Sequence, residues 1–139
     1  MQLVFENIFG KIFYNEIDDM YLIQWLDTTE ELKDSDFQAF LLQFTDLLKD
    51  INAANLFVDA TKKLFVMSND IQEWHDEVIV PRYLSSGLSK IAFHTANNDL
   101  VDISLELTFD EENSKKLQTR FFDAADLAKA WLTEEPVTA

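Results

Sequence analysis

A chain of 139 residues has the size of one common domain, which buries roughly two-thirds of the surface its unfolded form exposes. Apolar residues make up 47% of it and Phe occurs 12 times, too hydrophobic for disorder, while two Gly and no Cys exclude glycine-rich phosphate loops, disulfides and thiolate chemistry. With 11 basic against 26 acidic residues the formal charge is −15, which repels nucleic-acid backbones and anionic lipid headgroups.

Residues 11–17 and 20–26 are rich in β-branched and aromatic side chains, and Asp18-Asp19 between them is turn-prone, so they read as a hairpin. Residues 3–9 are either a preceding strand or an apolar arm on the sheet edge; their periodicity leaves both open. Asp34 or Ser35 can cap the next element. Phe37, Phe40, Leu41, Phe44, Leu47, Leu48 and Ile51 then recur at steps of three and four, one apolar stripe along a helix. Residues 55–60 are a short apolar run, as expected of a central strand covered on both faces.

After a turn at Thr61-Lys62-Lys63, Ser68-Asn69-Asp70 offers capping side chains, and Ile71, Trp74, Val78 and Ile79 mark a second helical face. Pro81 disturbs or ends that helix, and Gly87 is a terminator before a strand at 89–95. Residues 100–109 fit two patterns. Val101, Ile103, Leu105, Leu107 and Phe109 alternate with polar residues as a strand does, while Leu100, Ile103 and Leu107 also fit a helix capped by Asn97, Asn98 or Asp99. A polar connection at 111–116, an edge strand at 117–122 and a helix at 124–132 capped by Asp123 follow, with fraying expected from Pro136 onward. The whole is a single α/β domain over 1–139, its core about 11–132.

Several weak features in order carry a resemblance: Val58-Asp59 ending the central strand, Trp74 on the next helix, Pro81, Gly87 followed by Lys90-Ile91-Ala92-Phe93, and the ending Phe122-Asp123-Ala124-Ala125-Asp126-Leu127-Ala128-Lys129-Ala130-Trp131-Leu132. Over about 11–132 the chain resembles the bacterial SpoIIAA-like or STAS-like domains, including those described as similar to the CRAL-TRIO lipid-transfer fold. The resemblance implies a mixed sheet of four or five strands with helices packed mainly on one face, and a helix rather than a strand at 100–109. It also implies a regulatory turn at the start of the helix after the central strand, which in sporulation anti-sigma-factor antagonists carries a phosphorylated serine. Here the matching stretch is Met67-Ser68-Asn69-Asp70; ungapped, Asn69 falls on that serine, and the flanking aspartate and glycine are missing. Ser68 is chemically placeable for a phosphate at a helix N-terminus, although Asp70 opposes the added charge.

Other candidates read as structural. Lys62-Lys63 is a solvated pair at a turn, and Glu73, His75, Asp76 and Glu77 make a solvated helical face whose adjacent residues diverge too far to hold a metal. His94 reads as a hydrogen-bonded residue near a strand end. Asp59, at the carboxyl end of a central strand where α/β sheets place ligands, more commonly fastens the following turn. Trp74, Tyr83 and Phe109 are candidate interface or pocket aromatics. With no catalytic set, metal motif or cofactor fingerprint in view, the expectation is a non-enzymatic regulatory domain that binds a protein partner or its own copy through an aromatic patch. The alternative is a small apolar-ligand or lipid-binding domain walled by residues 70–83 and 100–109. The lack of thiols, of a basic-flanked apolar leader and of any apolar run near about 18 residues points to the cytoplasm without integral membrane contact.

Overall fold

The computed structural model describes residues 1–96 and 99–134, with side chains at 99–101 left aside. Strands β1 (Gln2–Glu6), β2 (Gly10–Asn15) and β3 (Met20–Trp25) form an antiparallel meander, and β3 continues in parallel into β4 (Asn55–Asp59), β5 (Lys90–His94) and β6 (Gln118–Phe122). The result is one mixed sheet of six strands in sequential order, against the four or five expected. The additional strand is β1, the segment whose periodicity was ambiguous; its pairing shifts register between Leu3 and Phe5, and such a slip erases a strict alternation.

Helix α1 (Asp34–Asp50) follows β3 and buries Phe37, Phe40, Leu41, Phe44 and Leu48 on the sheet. Each contributes about 1.5–3 kcal/mol by leaving water. Ile51 lies beyond the last turn and is half exposed, so the stripe stops short of its expected end. Lys33 occupies the cap position in place of Asp34 or Ser35, and the Asp36 carboxylate reaches back to accept its N–H at 3.0 Å. Tyr21 on β3 closes the other end, its hydroxyl 2.7 Å from the Ile51 carbonyl.

Helices α2 (Asn69–Trp74) and α3 (Val80–Ser85) are joined by a π turn, His75–Ile79. Pro81 therefore widens the helix ahead of it instead of ending it: the Val80 N–H bonds to the His75 carbonyl five residues back, which leaves room for the proline ring. Gly87 then ends the run in the left-handed region at φ 83, with the Leu88 N–H returning to the Tyr83 carbonyl.

Residues 99–108 are helix α4, as the resemblance implies. Within it Ser104, Leu105 and Thr108 are buried while Ile103, Glu106 and Leu107 are exposed, the three-and-four spacing of one helical face. The caps expected at Asn97 and Asn98 lie outside the described residues, as does the tail from Pro136. Helix α5 (Ala125–Leu132) starts one residue later than expected: Ala124 holds the cap position and no side chain, Asp123 included, bonds its first turn.

Helices α1 to α4 cover one face of the sheet, over the main core of Ile23, Leu56, Val58, Ile91 and Phe93. On the opposite face α5, alone among the described helices, packs over β4, β5 and β6, where Ala128 and Leu132 meet Met20, Phe57 and Ala92. None of the described helices is long and apolar enough to cross a membrane.

Candidate functional site

The carboxyl ends of β3, β4 and β5 point the same way, and the segments leaving β3 and β4 are tied to each other and to α4. After β3 comes a 3-10 turn, Asp27–Glu31, in which buried Thr29 accepts the Leu64 N–H at 2.9 Å and donates to the Leu26 carbonyl at 2.8 Å. After β4, burial alternates along the stretch 63–67: Lys63, Phe65 and Met67 are buried, Leu64 and Val66 exposed. Its end is tied to α4, where the Met67 N–H meets the Ser104 hydroxyl at 3.3 Å.

Between the sheet, α1, the π turn and α4 lies a cavity of about 30 Å³. Most of its lining is apolar, with four polar side chains among it: Lys63, His75, Tyr83 and Thr108. Thr108 spends its O–H on the Ser104 carbonyl at 2.7 Å.

Lys63 is only 3% exposed, so the reading of Lys62-Lys63 as a solvated pair holds for Lys62 alone. Its ammonium donates to the Phe65 carbonyl and lies 5.3 Å over the Phe65 ring. Burial lowers its pKa to about 7, with the Asp102 charge opposing the shift.

His75 and Asp76 are likewise buried, which corrects the reading of a solvated helical face. The His75 ring packs 5.0 Å from that of Phe109 and 5.8 Å from that of Tyr83. Its Nδ1 has no hydrogen-bond partner, and burial pushes its pKa down to about 4 against the raising effect of Asp76. Burial also raises the Tyr83 phenol. Asp76 turns the other way, its Oδ1 accepting the Ser114 N–H at 2.7 Å and the Ser114 hydroxyl at 2.9 Å.

Of the residues singled out by sequence, Tyr83 and Phe109 line the cavity, while Trp74 is half buried against the main core. Aromatic side chains are buried or half buried throughout the described residues, and the exposed large apolar residues are aliphatic or Met. Asp59 fastens its turn: its carboxylate accepts the Thr61 N–H at 3.1 Å and hydroxyl at 2.6 Å, and it is not part of the cavity wall. Ser68 caps α2 by accepting the Ile71 N–H at 3.2 Å, and its hydroxyl stands 3.4 Å from an Asp34 carboxylate oxygen. A phosphate there would face Asp34 as well as Asp70; Asn69 and Asp70 are exposed on the first turn. His94 packs edge-on against Phe57, on the sheet face opposite His75, so the two histidines cannot act together. Among the described residues no group of three His, Asp or Glu could hold a metal ion.

Lys63 and His75 are what sequence reasoning missed, and both left a trace. The period-two run 63–67 sets Lys63 in line with Phe65 and Met67, and His75 stands four residues from both Ile71 and Ile79, on the apolar stripe of its helix. The two candidate walls at 70–83 and 100–109 do meet across a cavity, but at about 30 Å³ it accommodates water-sized contents, against roughly 300 Å³ or more for ligand pockets.

A second feature covers the outside of the same region. Leu64 and Val66 on the stretch after β4 and Ile103 and Leu107 on α4 are 41% to 52% exposed, on two segments joined by the Met67–Ser104 bond. No protein-family model matches the chain, and no curated protein or solved structure matches it.

Proposed function

We propose that this chain is a non-enzymatic, STAS-like interaction domain that binds a partner protein over the carboxyl ends of its parallel strands. The observation that carries the reading is the aliphatic quartet Leu64, Val66, Ile103 and Leu107, exposed at the end of an α/β sheet where such folds receive ligands. Solvating four large aliphatic side chains on two joined segments forgoes several kcal/mol that a partner would recover. The sequential parallel order of β3 to β6, the helices gathered mainly on one face and the helix following β5 agree with kinship to the SpoIIAA-like domains.

Charge selects the partner. Thr29 brings exposed Glu30 and Glu31 up to Leu64, the Ser68 contact brings Asp34, and Glu106 lies between Ile103 and Leu107. Lys33 and Lys62 are the exposed cations of these described segments. An acidic rim around an apolar center suits a basic amphipathic segment and repels a second copy of a chain of charge −15.

The test is photo-crosslinking in cells from a photoreactive residue at Val66 or Leu107, with Ile17, 93% exposed and remote, as control. Capture of one basic protein from both positions and not from Ile17 is expected. No adduct from either position, or adducts equal to those at Ile17, overturns the reading, and capture of the chain's own copy would replace a foreign partner with self-association.

A further inference from the structure

We infer that the outer edge of β6 is a docking site for an extended segment of another protein, which adds to the six-stranded sheet and alternates acidic with apolar side chains. β6 ends the sheet, so one side of it has no strand among the described residues. The Gln118 N–H bonds to the Ser89 carbonyl and the Phe122 carbonyl accepts the Thr95 N–H, which directs the backbone groups of 118, 120 and 122 toward β5. Those of Thr119 and Phe121 alternate to the open side, where an added strand would pair with them.

The two edges of the sheet differ. β1 slips register between Leu3 and Phe5, a device that blunts an edge. β6 pairs residue for residue with β5 from Gln118 to Phe122, with no slip and no proline. An open hollow of about 710 Å³ lies along its first half, and a second of about 350 Å³ reaches Phe121 and Phe122. Phe109, from the main core side, and Trp131, from the α5 side, both line the first hollow, so it wraps the strand edge instead of one face.

The two faces choose the side chains of the occupant. Gln118, Arg120 and Phe122 lie on the α5 face, Thr119 and Phe121 on the other. On the α5 face the Arg120 guanidinium is 5.6 Å and the Lys90 ammonium 5.2 Å from the Trp131 ring, and neither cation has an ion pair among the described residues. Lys115 also lines the hollow, 3.7 Å from exposed Asp110, and Glu134 is the opposing charge in the wall. Acidic side chains at alternate positions of the added strand meet Arg120 and Lys90 there. On the other face half-buried Phe121 stacks on Phe93 at 5.1 Å, with Phe109 at 5.0 Å from the same ring, an apolar surface for the residues between. The remaining carboxylates, which give the chain its charge of −15, are screened beyond about 8 Å at physiological salt. A second copy's β6, paired antiparallel in the same sheet, would bring its own Arg120 to the α5 face in place of a carboxylate.

The test is amide NMR of the intact chain titrated with a short synthetic peptide alternating Glu and Val, against one alternating Lys and Val. With the acidic peptide the Thr119 and Phe121 amides are expected to shift and, at saturation, to exchange with solvent at least about tenfold more slowly. The lysine peptide is expected to bind at least about fivefold more weakly. Thr119→Pro removes one outward N–H without touching the bonds to β5 and is expected to abolish binding, while Thr119→Val retains it. Arg120→Glu is expected to remove the preference for the acidic peptide. Unchanged Thr119 and Phe121 amides up to about 1 mM acidic peptide, or equal binding of the two peptides, overturns the proposal. Slowed exchange of both amides with rising protein concentration and no peptide overturns it in favor of a second copy. The comparison on the unmutated chain decides the matter even if a variant does not fold.

Discussion

Asp76 and Ser114, 38 residues apart, are joined twice: one carboxylate oxygen accepts both the backbone N–H and the hydroxyl of Ser114, at 2.7 and 2.9 Å. The other oxygen accepts the Asn113 N–H at 3.3 Å. This buried anion stitches the π turn to the 3-10 turn Ser114–Lys116 that leads into β6.

Replacing Asp76 by Ala leaves those donors unsatisfied in the interior. Hydrogen bonds to a charged group contribute about 1.5–3 kcal/mol each, so a loss of at least about 2 kcal/mol is expected as a lower urea midpoint. Asp76→Asn, which keeps an acceptor, is expected to lose less.

His75 makes stability rise with pH. Its folded pKa is near 4, below the 6.5 of the free side chain, so between those values the unfolded chain binds the proton that the native state refuses. The stabilization is complete above pH 6.5 and is lost as pH falls toward 4, amounting to about 3 kcal/mol. Denaturant unfolding of His75→Leu across this window is expected to show a flatter profile than the parent.

Lys63 extends the same dependence to alkaline pH. With its folded pKa lowered from 10.5 to about 7, the native state holds fewer protons than the unfolded chain between those values. Stability therefore climbs there by up to about 1.4 kcal/mol per pH unit. Lys63→Met is expected to remove that slope, measured as Tm from pH 7 to 10.

Gly10 sits where a side chain has no room. A Cβ there would stand 3.0 Å from the Gln24 carbonyl oxygen and 3.1 Å from the Phe40 ring. Gly10→Ala is expected to cost about 1–3 kcal/mol, as overpacking does, and to shift the Phe40 ring resonances.

Ser68→Ala removes the α2 cap. A loss of about 1 kcal/mol is expected, read by thermal unfolding, with the chain still folded.

The architecture was legible wherever one pattern ran without competition. Phe37, Phe40, Leu41, Phe44 and Leu48 mark a helix with one buried face, and the short apolar run at 55–60 reads as a central strand, of which 55–59 form β4. Residues 100–109 satisfied two periods at once, and packing chose between them: the helix buries Leu105 and Thr108 against the sheet and the Met67 side chain. The register shift in β1 and the cap at Lys33 depend on backbone geometry that local composition does not encode.

The candidate site was far less visible, because burial of a polar side chain is a property of what lies across from it. Spacing placed Lys63 and His75 on apolar stripes, but a lysine at a turn and a histidine among acids are ordinarily solvated, and nothing nearby in the chain says otherwise. Alternation and helical spacing are local and set by bond geometry, so order, class and most elements followed from the amino acids alone. The cavity, the displaced proton equilibria and the exposed aliphatic quartet arose only when segments more than 30 residues apart closed on one another, since desolvation requires neighbors from every side.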